Sequence, residues 1–295
     1  MVDVLIVGSG LSGLTAASLL QDQGHRVQVI DKGRNPGGRL ASRQVDQHVF
    51  NHGCGSLDLE VEQINWLADQ SGLVLDSGPY RAGHAINEIA RPLTNDVPVT
   101  QSVQAESLSY KNEQWLIQCR DYVKDQQVEY QAKILLLTLP APQATALLKG
   151  VADSGFFYND ESYDPQLVVM LECALDAPLA KLDCYGKVEK GAIKNGVQPC
   201  MLRCTPAQTA TEMKESLAEL KNTWSQRVKD VGQLVSIHRW KYAHCQSPQP
   251  KPFEKHDKLP LFIAGDSFGD KKLSGLARAF ESGQAAGQAI SQALR

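Results

Sequence analysis

The N-terminal pattern of hydrophobic and polar positions predicts a strand, a glycine-rich turn, a helix and a second strand. The continuous apolar run Val4–Val7 suits a strand buried on both faces of a parallel sheet. After the turn at residues 8–13, apolar positions at helical spacing predict a helix over Leu14–Gln23, which Gly24 ends. Val27–Ile30 is the next apolar run, so the pattern predicts a βαβ unit.

Farther along the chain the pattern predicts further strands and helices. Three β-rich segments separated by polar turns predict an antiparallel meander, which covers Gln101–Tyr110, Gln114–Arg120 and Gln127–Gln131. The other predicted strands are Ile134–Leu139, Gln233–Tyr242 and Leu261–Ala264, with a Pro-rich surface connection at 247–260. The predicted helices are 61–70, 84–95 with an interruption at Pro92, 207–229 and 276–294.

Composition narrows the class of protein. The chain has 295 residues, 42% hydrophobic and 21% charged, which is ordinary globular usage. A net charge of −3 offers no basic surface, so we expect neither a nucleic acid nor a membrane as partner. The longest later apolar stretch holds about six residues, whereas a membrane helix needs about 20. The N-terminus lacks the basic region of a signal peptide, and we expect a cytoplasmic protein.

The cysteines favour neither a disulfide framework nor a metal site. There are seven of them, widely spaced and without a CxxC pair. An odd number at such spacing is typical of reduced thiols in an intracellular protein. We therefore expect no structural disulfide and no metal ion.

The turn after the first strand has the pattern GxGxxG, which predicts a dinucleotide site. Gly8 allows the tight turn, Gly10 allows a pyrophosphate to approach the backbone, and Gly13 allows the helix to pack closely on the strand. Leu11 and Ser12 lie at the helix start, where free N–H groups and the positive end of the helix dipole face the phosphates.

An acid and a Gly-Gly-Arg segment follow the second strand, and this combination favours FAD over NAD. Asp31 lies about 20 residues beyond the last glycine, where a carboxylate accepts both ribose hydroxyls. The segment from Lys32 to Arg43 contains Gly38, Arg39 and Leu40. Its glycines let the backbone lie against a large flat cofactor, and the arginine is expected to pair with the pyrophosphate. A simple NAD dehydrogenase has no need for this segment.

A third motif lies near the C-terminus. A strand that ends in Gly265-Asp266 places a carboxylate near a ribityl chain or its phosphates. The helix that follows, with Leu276 and Ala279 near its start, presents N–H groups toward the flavin N1/O2 side, where negative charge develops on reduction.

Together these motifs resemble the flavin-containing amine oxidase superfamily, over nearly the whole chain. Residues 238–243 (HRWKYA) look like the Arg-Trp-(Arg/Lys)-Tyr segment of renalase and its bacterial relatives. Residues 137–143 (LTLPAPQ) are similar to that group's strand ending in Pro-x-Pro, and residues 80–87 correspond loosely to its glycine-containing helix start. The resemblance implies that the backbone of Val97 contacts the adenine.

The resemblance implies an FAD-dependent oxidoreductase that passes a hydride from a small substrate to flavin N5, with O2 as the reoxidant. A renalase-like enzyme would act on the 2- or 6-dihydro isomers of NAD(P). Two alternatives stay open: an amine oxidase acting on a small amine, and a non-catalytic FAD-binding protein. The family's Gly-Ala-Gln-Tyr segment is replaced here by Gly53-Cys54-Gly55-Ser56, so the flavin-facing side of the pocket differs.

Candidate catalytic residues lie on the predicted strand at the RWKY segment. His238, Trp240 and Tyr242 alternate with two cationic residues, so they share one face of that strand. The face either walls the substrate pocket, with His238 as a proton relay, or belongs to the core. Likewise, His52 beside Gly53 either lies near the flavin or is a packed turn residue.

The expected fold is α/β with two domains. A Rossmann-like FAD-binding domain, a parallel sheet with an antiparallel β-meander, is assigned to residues 1–55, 83–147 and 258–295. A smaller α+β substrate domain is assigned to residues 56–82 and 148–257.

Overall fold

The computed structural model describes residues 1–55, 57–71, 85–149, 151 and 163–295. Within these residues the strands are β1 (Val2–Val7), β2 (Val27–Ile30), β3 (Arg43–Val45), β4 (His48–Phe50), β5 (Val99–Thr100), β6 (Val103–Lys111), β7 (Gln114–Asp121), β8 (Gln126–Leu137), β9 (Tyr163–Ala174), β10 (Gly186–Lys190), β11 (Val197–Cys204), β12 (Gly232–Cys245), β13 (Glu254–Lys255) and β14 (Leu261–Ile263). The helices are α1 (Leu11–Asp22), α2 (Val61–Ser71), α3 (Ala141–Leu148), α4 (Pro206–Glu212), α5 (Leu217–Val228) and α6 (Gly275–Ala293). Short 3-10 helices cover Ile86–Ile89, Pro92–Thr94 and Leu179–Leu182.

The larger sheet is mostly parallel and covered on both faces. Its strands run in the order β13-β14-β8-β1-β2-β5, and β6 and β7 join it as a meander on β8. Leu5 and Val7 of β1 pack against the meander and α3, whereas Val4 and Ile6 pack against α1 and α6. Burial on both faces explains the continuous apolar run of this strand. The predicted α/β class, with a Rossmann-like parallel sheet and a meander, is confirmed.

One long strand replaces two predicted segments. The sequence pattern placed Gln127–Gln131 in the meander and Ile134–Leu139 in a separate buried strand. The structure corrects this, because β8 runs without a break through both. Its first half alternates in burial as it pairs with β7, and its second half is buried between β1 and β14. Because the neighbouring strands change along β8, its hydrophobic pattern changes as well, and the sequence pattern alone predicts two strands.

Two predicted helices are also corrected. The stretch 207–229 forms two helices, α4 and α5, because Ser216 caps a new helix by accepting from the backbone N–H of Glu219, whose side chain accepts from the Ser216 N–H. The described part of 84–95 forms two short 3-10 turns, the second of which begins at Pro92. Residue 84 lies outside the described residues.

A smaller antiparallel sheet carries the strand at the RWKY segment. Its order is β10-β11-β9-β12, and α5 packs Trp224 against one face. The β3–β4 hairpin packs Phe50 against residues of the other face, among them Val168 and Met201. Sequence pattern found only β12 of these four strands. The predicted domain boundaries stay a prediction. Among the described residues, no helix is both long and apolar enough to cross a bilayer.

Candidate functional site

The glycine turn after β1 is required by close packing. Gly8 has a φ of +118°, and a Cβ there would lie 2.6 Å from the Thr138 hydroxyl oxygen. At Gly13 a Cβ would lie 2.0 Å from the carbonyl oxygen of Gly8. The first and third glycines therefore keep β1, α1 and the end of β8 together, as the sequence predicted.

The second glycine faces open space instead. A Cβ on Gly10 would have no atom within 4 Å, and the same is true of Gly265 in the loop after β14. No side chain caps the N-terminus of α1, so its first N–H groups are free to bind an anion. Ser12, on the first turn of α1, has a buried hydroxyl without a hydrogen-bond partner among the described residues. These features fit a bound dinucleotide, with its pyrophosphate at Gly10.

Asp31 stabilises this turn from the end of β2. Its carboxylate accepts hydrogen bonds from the Ser9 N–H at 2.6 Å, the Ser9 hydroxyl at 3.0 Å and the Gly33 N–H at 2.6 Å. A carboxylate has about four acceptor positions, so about one is left for a ribose hydroxyl. The predicted acid is therefore at the predicted place, but it also holds the loop together, which the motif alone does not reveal.

The structure places Val97 away from the edge of the sheet at which Asp31 lies. Cofactors bind at the carboxyl ends of parallel strands, whereas Val97 precedes β5 and is buried in the core at the amino end of the sheet. The valine at the carboxyl end is Val103, whose N–H donates to the carbonyl oxygen of Asp31 at 2.8 Å. The backbone beside Asp31 is thus that of Ser102 and Val103.

The Gly-Gly-Arg segment lies on the glycine turn. The Gly37 N–H donates to the Ser9 carbonyl at 2.8 Å, and a Cβ on Gly38 would lie 3.1 Å from the Cα of Gly10. The side chains of Leu11 and Leu40 are buried in one core cluster. Both leucines therefore contribute backbone rather than side chain to the site's surface. Lys32 is exposed at the rim, 3.5 Å from the Gln143 side-chain oxygen.

Arg39 was expected to pair with a pyrophosphate, and the structure gives it a different partner. Its two terminal nitrogens donate to the two carboxylate oxygens of Asp266, at 2.7 and 2.6 Å. Nη1 also donates to the carbonyl oxygen of Ala243 at 3.0 Å. The N–H of Nε and the second N–H of Nη2 have no hydrogen-bond partner among the described residues, so these two donors are left for a phosphate. Arg39 and Asp266, both predicted to contact the cofactor, therefore form an ion pair with each other.

The last helix packs closely on the first. A Cβ on Gly283 would lie 2.2 Å from the Ser12 carbonyl oxygen. The N-terminus of α6 differs from that of α1, because the Ser274 hydroxyl accepts from the Ala277 N–H at 3.0 Å. Leu276 is half-buried and Ala279 buried beside this capped turn. Fewer N–H groups are thus free at α6 than at α1.

Beside the cofactor edge, β12 presents the predicted aromatic face. The rings of His238 and Trp240 lie 4.4 Å apart, and the ring of His52 lies 4.7 Å from His238. The indole N–H of Trp240 donates to the His52 carbonyl oxygen at 2.8 Å. Tyr242 continues the face and meets the ring of Tyr163 edge-on, at 5.7 Å.

The imidazoles of this face are neutral at pH 7. Burial, with the positive side chains nearby, lowers the pKa of His52 to about 4, and burial with Arg43 lowers the pKa of His238 to about 4. Arg43 donates to the Ser236 hydroxyl at 2.5 Å and has no ion-pair partner among the described residues. Within the described part of the chain, the face therefore carries a positive charge without a matching carboxylate.

The Gly53-Cys54-Gly55 turn joins this face to the cofactor edge. The Gly53 N–H donates to Ala41 and the Cys54 N–H to Arg39, at 3.0 and 2.8 Å. A Cβ on Gly55 would lie 2.3 Å from the Glu189 carboxylate, which pairs with Arg203. The missing side chains of the family pattern thus make room for an ion pair. Burial raises the pKa of the Cys54 thiol to about 12, so it is a neutral thiol and not a nucleophile.

Several residues of the site were missed by sequence reasoning. They are Arg43, Tyr163, Glu189, Arg203 and Val103. Tyr163, Glu189 and Arg203 lie on the smaller sheet, outside every predicted motif, whereas Arg43 ends the Gly-Gly-Arg segment but was assigned no role of its own. Val103 could have been found from the sequence, because it lies close to the start of the predicted strand at Gln101. A strand adjacent to β2 must end near Asp31, which places this boundary beside the acid.

Comparisons with known proteins were made for sequence and for fold. Residues 6–59 match the model of the NAD(P)-binding Rossmann-like domain family. An L-amino-acid oxidase from Siganus canaliculatus is 35% identical over 75 residues, 25% of this chain and 14% of that protein. A zeta-carotene-forming phytoene desaturase from Myxococcus xanthus is 44% identical over 50 residues, 17% of this chain and 10% of that protein. The chain thus spans only 10% to 14% of the length of these curated relatives.

The fold is matched over the whole chain. A structure of putrescine oxidase bound to putrescine aligns with 99% of each chain, with a TM-score of 0.62 and 13% identity. At that identity the likeness shows the fold alone. The chain is therefore an α/β protein whose residues 6–59 match a Rossmann-like family model and whose partial sequence matches are to an L-amino-acid oxidase and a phytoene desaturase.

Proposed function

We propose that this protein is an FAD-dependent oxidoreductase that oxidises a small anionic substrate, in the manner of a renalase acting on 2- or 6-dihydro-NAD(P). One observation carries the proposal. A turn with the space and free N–H groups for a dinucleotide lies beside an aromatic face with an unmatched positive charge. The first feature supports the cofactor, and the second supports the class of substrate.

The cofactor part rests on the carboxyl edge of the larger sheet. Gly10 and Gly265 leave room, the α1 N-terminus offers N–H donors, and Asp31 keeps about one acceptor position for a ribose hydroxyl. Bound FAD would supply the hydride acceptor. Residues that hold the cofactor by this proposal are Gly8, Gly10, Leu11, Ser12, Gly13, Asp31, Lys32, Gly38, Arg39, Leu40, Val103, Gly265, Asp266, Leu276 and Ala279.

The substrate part rests on charge. A protonated amine would lie beside Arg43 and two neutral imidazoles, with no unpaired carboxylate among the described residues of this face to offset its charge. A dinucleotide phosphate or a carboxylate is attracted to the same place, because the guanidinium offers paired donors. A dihydronicotinamide is already an activated hydride donor. It needs its donor carbon held in a dry pocket rather than a proton taken away.

The chain's own residues then have simple roles. Trp240 and His238 wall the pocket and exclude water, and the backbone of His52 fixes the indole. A neutral imidazole both donates and accepts a hydrogen bond, so His238 orients the substrate without adding charge. Tyr242 closes the wall against Tyr163.

An amine oxidase is the second candidate, and the comparisons favour it. The matches include an L-amino-acid oxidase, and the fold is that of a putrescine oxidase structure. An amino acid carries a carboxylate, which Arg43 would suit. Putrescine carries none, so the charge of the face counts against a simple diamine.

The visible spectrum of the purified protein tests the proposal. Under anaerobic conditions the flavin band is recorded after addition of borohydride-reduced NAD, which contains the 2-, 4- and 6-dihydro isomers. Pure 4-dihydro-NAD, an L-amino-acid mixture and putrescine are added separately. We expect bleaching by the isomer mixture alone, and recovery in air. Bleaching by amino acids or putrescine instead would establish the amine oxidase reading. A band that no addition changes would show a non-catalytic flavoprotein.

Arg43 gives a sharper version of the test. The substitution Arg43→Gln removes the unmatched charge from an exposed position. We expect KM for the dihydro dinucleotide to rise about tenfold, because a charged hydrogen bond is worth about 1.5–3 kcal/mol. An N-methyl dihydronicotinamide without phosphates is the control, and its KM is expected to stay unchanged. Equal changes for both substrates would contradict the assigned role.

A further inference from the structure

A buried polar cluster connects the cofactor edge to the smaller sheet. Asp266, at the end of β14, is 2% exposed and accepts from Arg39 of the Gly-Gly-Arg segment. It also accepts from the hydroxyl of Tyr163, at 2.8 Å. Tyr163 is 4% exposed and is the first residue of β9, in the other sheet. Three distant segments thus share one carboxylate.

The direction of each hydrogen bond follows from the charges. Burial and the neighbouring negative Asp266 raise the pKa of Tyr163, so its hydroxyl stays protonated and is the donor. A phenol has one O–H, and since that proton goes to Asp266, the Ser267 hydroxyl donates to the Tyr163 oxygen at 2.8 Å. Both oxygens of Asp266 are therefore oriented, one of them by two donors.

An irregularity in β12 completes the connection. The pairing of β12 with β9 shifts between Trp240 and His244, where four steps along β12 match two along β9. Such a bulge releases backbone groups from the ladder. The carbonyl oxygen of Ala243 lies in this bulge and accepts from Arg39. The strand that carries the aromatic face is thus tied to the cofactor segment through the same guanidinium.

We propose that Tyr163 is a positioning residue for the cofactor, which holds the Asp266 carboxylate, and through it Arg39, in the orientation that receives FAD. The inference rests on the proposed function, because it assumes that Asp266 and Arg39 face FAD. It adds a residue of the smaller sheet that no motif marks. Cofactor affinity then depends on how the smaller sheet is seated, although FAD itself is held at the edge of the larger sheet.

The test measures FAD affinity of the FAD-free protein by quenching of flavin fluorescence. Tyr163→Phe keeps the ring and removes only the hydroxyl, and we expect the FAD Kd to rise about tenfold, as for loss of a hydrogen bond to a charged group. Ser267→Ala is the matched control. It removes the other partner of the same hydroxyl, and we expect its Kd to stay within about twofold of the wild type.

A double-mutant cycle shows whether Tyr163 acts through Asp266. In an Asp266→Asn background, Tyr163→Phe is expected to raise the FAD Kd by less than it does in the wild-type background, because the amide oxygen carries no charge and accepts a weaker hydrogen bond from the hydroxyl. Thermal melts of all FAD-free variants accompany the cycle. If Asp266→Asn does not fold, the pH profile described next carries the test.

The pH profile gives a readout that a merely structural role would not move. Burial opposes ionisation of Asp266, but Arg39, the Tyr163 hydrogen bond and the more distant Arg278 hold its pKa below the usual value. Cys245 and His244 are further titratable groups nearby. Removing the hydroxyl raises that pKa. We therefore expect Tyr163→Phe to release FAD at a higher pH than the wild type on acidification, and Ser267→Ala to release it at the wild-type pH.

The outcomes separate this inference from the proposed function. Wild-type affinity in Tyr163→Phe, an unchanged release pH, or an equal loss in Ser267→Ala overturns the positioning role. A fall in the melting temperature of FAD-free Tyr163→Phe that accounts for the whole loss of affinity also overturns it. If the wild-type protein itself does not bind FAD, the proposed function fails and this inference with it.

Discussion

The carboxyl edge of the larger sheet and the aromatic face of β12 build their polar surroundings in different ways. At the edge, the glycine turn, the end of β2 and the Gly-Gly-Arg segment are close in sequence and contribute mainly glycines and backbone N–H groups, and Thr138 and Asp266 join them from farther along the chain. On β12, side chains from distant segments meet. Trp240 and His52, for example, are 188 positions apart. The edge is therefore a local motif, whereas the face exists only when the smaller sheet and the β3–β4 hairpin are both in place.

The largest expected effect concerns the face and is a loss of stability in acid. The pKa of His52 and of His238 is lowered from 6.5 to about 4. Above pH 6.5 both imidazoles are neutral in the folded and in the unfolded protein. Between pH 6.5 and pH 4 they become protonated only in the unfolded chain. The free energy of unfolding therefore falls as the pH falls through this window. One pKa unit corresponds to about 1.4 kcal/mol. Urea unfolding at several pH values, for the wild type and for His52→Asn, should show a smaller slope in the variant. An equal slope would mean that His52 titrates normally.

The next effect concerns the edge. In Gly13→Ala the new Cβ would lie 2.0 Å from the Gly8 carbonyl oxygen, against a rigid backbone. We expect the free energy of unfolding to fall by about 3 kcal/mol, as for an overpacked core. FAD binding is expected to be lost as well, because β1 and α1 must separate to make room.

Gly10→Ala is the matched control within the same turn. Gly10 has a φ of −73°, which alanine adopts without strain, and its Cβ would meet no protein atom within 4 Å. We expect the unfolding free energy of the FAD-free protein to change by less than about 0.5 kcal/mol. The FAD Kd is expected to rise at least tenfold, since the methyl group occupies the proposed pyrophosphate position. Unchanged affinity would place the pyrophosphate elsewhere.

Asp31→Asn is expected to have an intermediate effect at the edge. The carboxylate receives three hydrogen bonds from Ser9 and Gly33. The side chain of asparagine has only one oxygen, so its NH2 group would face at least one of these N–H or O–H donors. We expect a loss of about 2 kcal/mol in stability together with weaker FAD retention. Flavin content after purification and urea unfolding measure both. An unchanged flavin content would remove Asp31 from the cofactor site.

A smaller loss of stability than for Asp31→Asn is expected for Trp240→Phe, which separates the two regions. The variant loses the indole hydrogen bond to His52, worth about 1 kcal/mol. Because β12 is proposed to wall the substrate and not FAD, the FAD Kd should stay within about twofold. The rate of flavin bleaching by substrate should fall about tenfold, since the wall is displaced. A large loss of FAD affinity with normal bleaching would reverse the proposed division of roles.

Near the N-terminus, sequence and structure agree because the information is local. Gly8, Gly10 and Gly13 are needed at a fixed spacing by one turn, and Asp31 follows one helix later. The contact of Val97 with the adenine was predicted from the resemblance and stays a prediction, and the register of β5 with β2 puts Val97 at the opposite edge from Asp31.

The residues of β12 show the limit of pattern. Alternation correctly predicted that His238, Trp240 and Tyr242 share a face, because a strand has a period of two. It did not tell whether that face meets solvent, core or another segment. The surroundings of the face depend on which strands form the sheet with β12, and the sequences of β9 and β11 contain no motif from which this pairing could be predicted.

By itself, the sequence determined the α/β class, the dinucleotide turn and the acid at the end of β2, because each depends on backbone geometry within a few tens of residues. Only the tertiary structure decided that Arg39 pairs with Asp266, that Tyr163 joins them, and that Arg43 lacks a carboxylate partner among the described residues. Pairing of charges depends on distances between segments far apart in the chain. Those distances are set by the order of strands in the sheets and by the bulge in β12, and neither can be predicted from the hydrophobic periodicity of the sequence.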